Sequence, residues 1–181
     1  LEYYLVDEPP MRLSELERLH PSSYRHIWSE LPSAPKLVEI IAFTLMPNHF
    51  HLLLKQLVDG GVSTVLRRWL NSYARFFNTR HERVGPLFQG VFKAVPIHST
   101  EQLVHVSRYI HINAPVAGLI QPKEIATFPW SSMREYLGAP GFCQPSIVLE
   151  QFKTPRAYEE FVLDQIDYAR QLDVIKHLTL D

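Results

Sequence analysis

The chain has 181 residues, 46% hydrophobic and 20% charged, with a formal net charge of −1. That is enough for one domain with a proper core and an appendage, and no apolar run reaches membrane-spanning length. The single cysteine, Cys143, excludes an internal disulfide framework and a cysteine-rich zinc site; no stretch reads as a signal peptide, and a reducing cytoplasm is the expected compartment.

The first residue is Leu rather than Met, which leaves the natural N-terminus open. Residues 2–6 form an apolar, aromatic run that reads as a short strand ended by Pro9 and Pro10. Leu13, Leu16 and Leu19 recur at helical spacing, with Ser14 as a cap and Pro21 as the break. Residues 24–31 form a further turn or two, and 32–35 a loop. Residues 37–45 are apolar and rich in branched side chains, so a buried strand is expected. Met46-Pro47-Asn48 reads as a tight turn that sends the chain back along 49–56, completing a hairpin.

The returning strand begins His49-Phe50-His51. Residues two apart on a strand share a face, which sets the two imidazoles side by side, about 6–7 Å apart at the backbone. Two ring nitrogens so placed suit one metal ion that still needs a third ligand. From spacing alone, an ordinary surface or core pair is the commoner outcome.

Asp59-Gly60-Gly61 closes the strand. Ser63 caps a helix running to about Arg80, with Val62, Leu66, Trp69, Leu70, Tyr73, Phe76 and Phe77 as its apolar stripe. A basic, Gly-containing loop follows over 80–92, then a strand over 92–97. Ser99 or Thr100 starts a helix that continues to about Ile112, ended by Pro115 and Gly118. Phe128-Pro129-Trp130-Ser131-Ser132 is expected to turn with its indole packed on the core. Residues 140–145 read as a linker, and a final amphipathic helix spans 157 to about 177. Charge is uneven. Residues 67–93 hold six basic residues (Arg67, Arg68, Arg75, Arg80, Arg83, Lys93) against Glu82 alone, whereas 144–181 hold seven acids against four bases. A basic middle suggests one face that meets an anion.

In the helix before Pro115, Tyr109 and Asn113 are four apart and share a face, with His105 one turn earlier. A tyrosine with an ordinary pKa near 10 is a poor nucleophile, but it attacks phosphorus when a metal polarises the phosphate. Asparagine offers a neutral oxygen ligand. The same segment also reads as a helix with one core aromatic and an asparagine near its end. His111 falls elsewhere on the helix and is expected to be solvated. Tyr73 is the rival nucleophile, but the residue four beyond it, Phe77, cannot bind metal.

Five ordered motifs, Met46-Pro47-Asn48-His49-Phe50-His51-Leu52-Leu53, Phe77-Asn78-x-Arg80, Gly85-x-Leu87-Phe88-Gln89-Gly90-x-Phe92, Tyr109-Ile110-His111-Ile112-Asn113 and Phe128-Pro129-Trp130-Ser131-Ser132, resemble the single-tyrosine HUH transposases, especially the REP-associated group. The resemblance implies an α+β fold, a ferredoxin-like (RRM-like) antiparallel sheet with helices on one face, here with a C-terminal helical appendage. It implies a domain over 1–140 and an extension over 141–181. It implies Mg²⁺ or Mn²⁺ held by His49, His51 and Asn113, with Tyr109 as the catalytic nucleophile; imidazole ligands by themselves favour Mn²⁺ or softer ions.

The expected partner is single-stranded, hairpin-forming DNA, met by Arg80, Arg83, Lys93, Arg67 and Arg68, with Phe88 and Phe92 available for base stacking. No membrane is involved, the location is cytoplasmic and DNA-associated, and the group includes both homodimers and single-chain forms. Two positions depart from the pattern: Val91 stands where the family often has Arg, and Ala114 separates Asn113 from Pro115. The competing readings are a hairpin-DNA-binding protein that does not cut, and a relaxase or replication initiator of the wider group. A zinc hydrolase lacks a Glu beside the histidines.

Overall fold

The computed structural model describes residues 2–16 and 18–170. Its elements in chain order are α1 (Leu13–Leu16), α2 (Pro21–Glu30), β1 (Val38–Leu45), β2 (Phe50–Gln56), α3 (Gly61–Arg80), α4 (Thr100–Val116), α5 (Met133–Tyr136), α6 (Ser146–Leu149) and α7 (Pro155–Leu163). The fold is α+β. Among the described residues the sheet has two antiparallel strands, β1 and β2. The chain divides into two compact units, one of residues 1–39 and 55–94, the other of 40–54 and everything from Val95 on; each takes part of the hairpin.

In the first unit, Tyr3, Val6, Leu16 and Leu31 form a small buried cluster. The expected strand over 2–6 is instead a 3-10 helix, Glu2–Tyr4, followed by a single bridge from Val6 to Lys36. Burying Tyr3, whose hydroxyl bonds the Met11 carbonyl, curls the backbone at the point where a strand would stay extended. α3 begins behind Gly60, which adopts a left-handed φ of 69°, so Ser63 lies inside the helix and does not cap it. Gly61 is needed for another reason: a Cβ there would lie 2.5 Å from the Leu37 carbonyl oxygen. Backbone cannot give way as a side-chain tip can, so Gly61→Ala should destabilise by about 1–3 kcal/mol through overpacking. Urea unfolding of the parent and variant checks this; equal midpoints would refute the close approach.

The expected strand over 92–97 does not form. Pro96 removes a ladder donor, and Val91 and Val95 remain 84% and 78% exposed.

In the second unit, Ile41, Ala42 and Leu53 of the hairpin pack with Ile110 and Ile112 of α4, with Met133 and Tyr136 of α5, and with Tyr158 and Val162 of α7. Strand β1 is buried continuously from Ile40 to Thr44, as a strand covered on both faces must be. The Phe128-Pro129-Trp130-Ser131-Ser132 stretch runs along its end. Leu45 donates its amide to the Trp130 carbonyl (2.8 Å), Ser132 donates to the Phe43 carbonyl (3.0 Å), and Thr44 bridges Ser131. The serines are buried, but Trp130 is 58% exposed, contrary to its expected place on the core: the backbone of this turn is what packs. α4 runs past its expected end, carrying Pro115 in its last turn, where the missing N–H costs only one helical bond. α7 is capped by Thr154, which accepts from the Ala157 amide (3.1 Å), and ends at Leu163; the part of the expected final helix over 171–177 lies outside the described residues.

Candidate active site

The hairpin turn fixes the two histidines. The Met46 amide donates to the His49 carbonyl at 2.9 Å, leaving Pro47 and Asn48 as a two-residue loop. His49 then sits at the mouth of β2 and His51 one pleat further, with ring centroids 4.9 Å apart and planes perpendicular. His49 is exposed and its Nδ1 lies 2.7 Å from Asn48 Oδ1. That oxygen can only accept, so Nδ1 donates and Nε2 is not engaged by this bond. Nε2 of His51 is buried and has no hydrogen-bond partner. Burial, and secondarily the neighbouring His49, hold the His51 ring below its ordinary pKa, while a side-chain hydrogen bond with Asn113 opposes them. The net effect favours the neutral imidazole, the form that binds a cation.

α4 supplies the other side of the site. Its N-terminus is capped by Ser99, which accepts from the Gln102 amide at 3.1 Å. Tyr109 and Asn113 lie one turn apart on one face, as their spacing predicts. The Tyr109 ring packs edge-on against His51, with centroids 5.4 Å apart, and remains 55% exposed. Asn113 donates one N–H of Nδ2 to the Tyr109 carbonyl at 2.6 Å, which orients the amide, and Oδ1 is its acceptor. His49, His51, Tyr109 and Asn113 therefore form one cluster within a single compact unit.

Thr44 and Ser132, to which the sequence assigns no role, and His111, which it places in solvent, hold this cluster together. Thr44 donates its hydroxyl to the Ile110 carbonyl at 2.7 Å, tying β1 to the turn of α4 that carries Tyr109. The Ser132 hydroxyl accepts the Phe43 amide at 2.8 Å and lies 2.8 Å from His111 Nε2. His111, expected to be solvated, is fully buried; its Nδ1 lies 2.7 Å from the Tyr158 hydroxyl, which also donates to Ser107 at 3.0 Å. Burial with no acid beside it pushes this ring down to about 3, so it is neutral and structural. The paired serines at the end of the fifth motif were the available signal, since buried hydroxyls need partners.

The residues fit a divalent ion in their chemistry. Two imidazoles in ring contact, one with an orphaned buried nitrogen, stand beside a neutral asparagine side chain that hydrogen-bonds His51. Among the described residues no three of His, Cys, Asp or Glu converge. Residues 12–113, more than half of the chain, match the family described as "Transposase IS200 like". The chain belongs to the IS200-like transposase family. No curated protein and no solved structure matches it. The matched segment of this transposase contains both histidines and Tyr109, and it ends on Asn113.

The transposase binds DNA, and its basic residues are concentrated in the first unit. Arg67, Arg80 and Lys93 are exposed. Arg68 is committed to its own chain, donating to the carbonyls of Val6 (3.3 Å) and Asp7 (2.9 Å). The Arg83 guanidinium lies over the Phe77 ring, 5.7 Å from its centroid. Tyr73, the rival nucleophile, lies beside the rings of Phe77 and Phe88, both at 6.1 Å. His105 accepts from Arg108 at 2.8 Å and packs on Phe161, 5.8 Å away. Burial raises the Cys143 thiol well above its ordinary value, which keeps it inert. No helix among the described residues is long and apolar enough to cross a membrane.

Proposed function

We propose that this transposase cuts and rejoins single-stranded DNA at hairpin-forming ends, with Tyr109 as the nucleophile. The observation that carries the reading is the contact of the Tyr109 ring with His51, inside a cluster that also holds His49 and Asn113. A Mg²⁺ or Mn²⁺ ion held by His49, His51 and Asn113 would polarise the phosphate and neutralise charge developing on it.

Tyr109 is exposed enough to meet a polymer, and its helix is braced against β1, so its approach line is fixed before DNA arrives. Its phenolic oxygen forms a bond to phosphorus, the bond from phosphorus to the 3′ oxygen breaks, and the phenol's proton is lost as a 3′-OH is released. The product is a 5′-phosphotyrosine. Because one phosphoester replaces another, a later 3′-OH can reverse the step and join a new strand without ATP. Arg67, Arg80, Arg83 and Lys93 supply backbone contacts that carry no sequence information.

Incubation of the protein with a hairpin-bearing single strand and Mn²⁺ should give a protein–DNA adduct that survives denaturation. EDTA should abolish it, and a fully duplex substrate should give none. An adduct formed equally well in EDTA would remove the ion from the reading; no adduct with any strand would favour a transposase relative that binds hairpins without cutting.

A further inference from the structure

α3 is twenty residues long, yet its buried residues, Gly61, Val65 and Leu66, all lie near its start. Further along, the apolar stripe stays open to solvent: Tyr73 is 44% exposed and Phe76 61%. Tyr73 and Phe76 are three apart and Arg80 follows four after Phe76, so the three share a helix face. The chain after the helix folds back on it. Phe88 meets Tyr73, and Arg83 lies over Phe77. The result is an aromatic floor with a cationic rim.

An exposed aromatic stripe takes either a second protein surface or flat unpaired bases. Charge decides between them. Arg80 shares this face and Arg83 lies over Phe77, so two copies meeting through it would bring like charges together, whereas a polyanion is attracted to it. We infer that the Tyr73–Phe76 face of α3 is a stacking platform for unpaired bases of single-stranded DNA, with Arg80 and Arg83 gripping the phosphates on either side. This rests on the single-strand reading above and extends it to a second, non-catalytic contact that selects unpaired from paired DNA.

The test measures binding, not cleavage. Full-length protein carrying Tyr109→Phe is titrated, in EDTA, against a labelled oligothymidylate, an abasic strand of equal length, and a duplex. Adding Phe76→Ala should weaken oligothymidylate binding about tenfold and leave the abasic strand unchanged. Arg80→Gln should weaken both and flatten the salt dependence. Phe76 is largely exposed, so its truncation leaves the fold intact, which circular dichroism verifies. Unchanged oligothymidylate affinity in Phe76→Ala overturns the proposal, and so does equal loss on the abasic strand. Sedimentation showing that Phe76→Ala only dissociates a dimer would assign the face to a second copy. Because no cleavage is required, a protein that stacks bases but forms no adduct defeats the catalytic reading alone, and one that forms adducts without stacking defeats this inference alone.

Discussion

Tyr109→Phe should abolish the covalent adduct, by at least about a thousandfold in rate, while DNA binding and the fold persist. Removing a nucleophile eliminates the step it performs, and what remains is only the contribution of binding and electrostatics. The substitution deletes one oxygen from a side chain that is 55% exposed and keeps the ring that packs against His51, so stability should move by less than about 0.5 kcal/mol. Tyr73→Phe is the matched control: it removes the rival hydroxyl and keeps the ring that meets Phe77 and Phe88 and would stack on bases, so it should cleave as the parent does. A denaturing gel over a time course separates the cases. Adduct formation by Tyr109→Phe at the parental rate would remove Tyr109 from the chemistry.

Acid should destabilise this protein through one residue more than any other. His111 is fully buried and held near 3, whereas the same ring in the unfolded chain has its ordinary value near 6.5. Between those values the unfolded state binds a proton that the folded state refuses. Stability is therefore complete above about pH 6.5 and falls as pH drops towards 3, by about 1.4 kcal/mol per pH unit. The cumulative loss of about 5 kcal/mol is comparable to the whole stability of a marginal domain. Urea unfolding from pH 7.5 down to 4 should show this slope in the parent. His111→Gln keeps hydrogen-bonding capacity without titrating, so its profile should be flatter by that amount even though its stability at pH 7.5 is lower. Parallel profiles would show that the ring gains its proton without cost.

The two halves of the site were legible in sequence for different reasons. A period of two put His49 and His51 on one face of a strand, and a spacing of four put Tyr109 and Asn113 on one face of a helix; local geometry alone delivers both. Their meeting was not local. Spacing says nothing about Thr44 bonding the Ile110 carbonyl or Ser132 touching both Phe43 and His111, and only the motif resemblance brought the halves together before the structure did. Polarity alone places His111 in solvent, whereas Tyr158 and Ser132 satisfy both of its nitrogens inside the core. Trp130 was misplaced by the converse habit of sending every large ring inward. The run over 92–97 has strand-forming residues, but β-structure needs a partner edge that propensity cannot supply.

The single side-chain oxygen of Ser132 links two elements. It touches the backbone of β1 on one side and the imidazole of α4 on the other. Loosening the 128–132 segment would thus not fray one corner of the domain in isolation. The sheet margin and the nucleophile's helix would lose their common tether together, so a lesion with no DNA contact at all would be felt first as a phenol that no longer arrives on target.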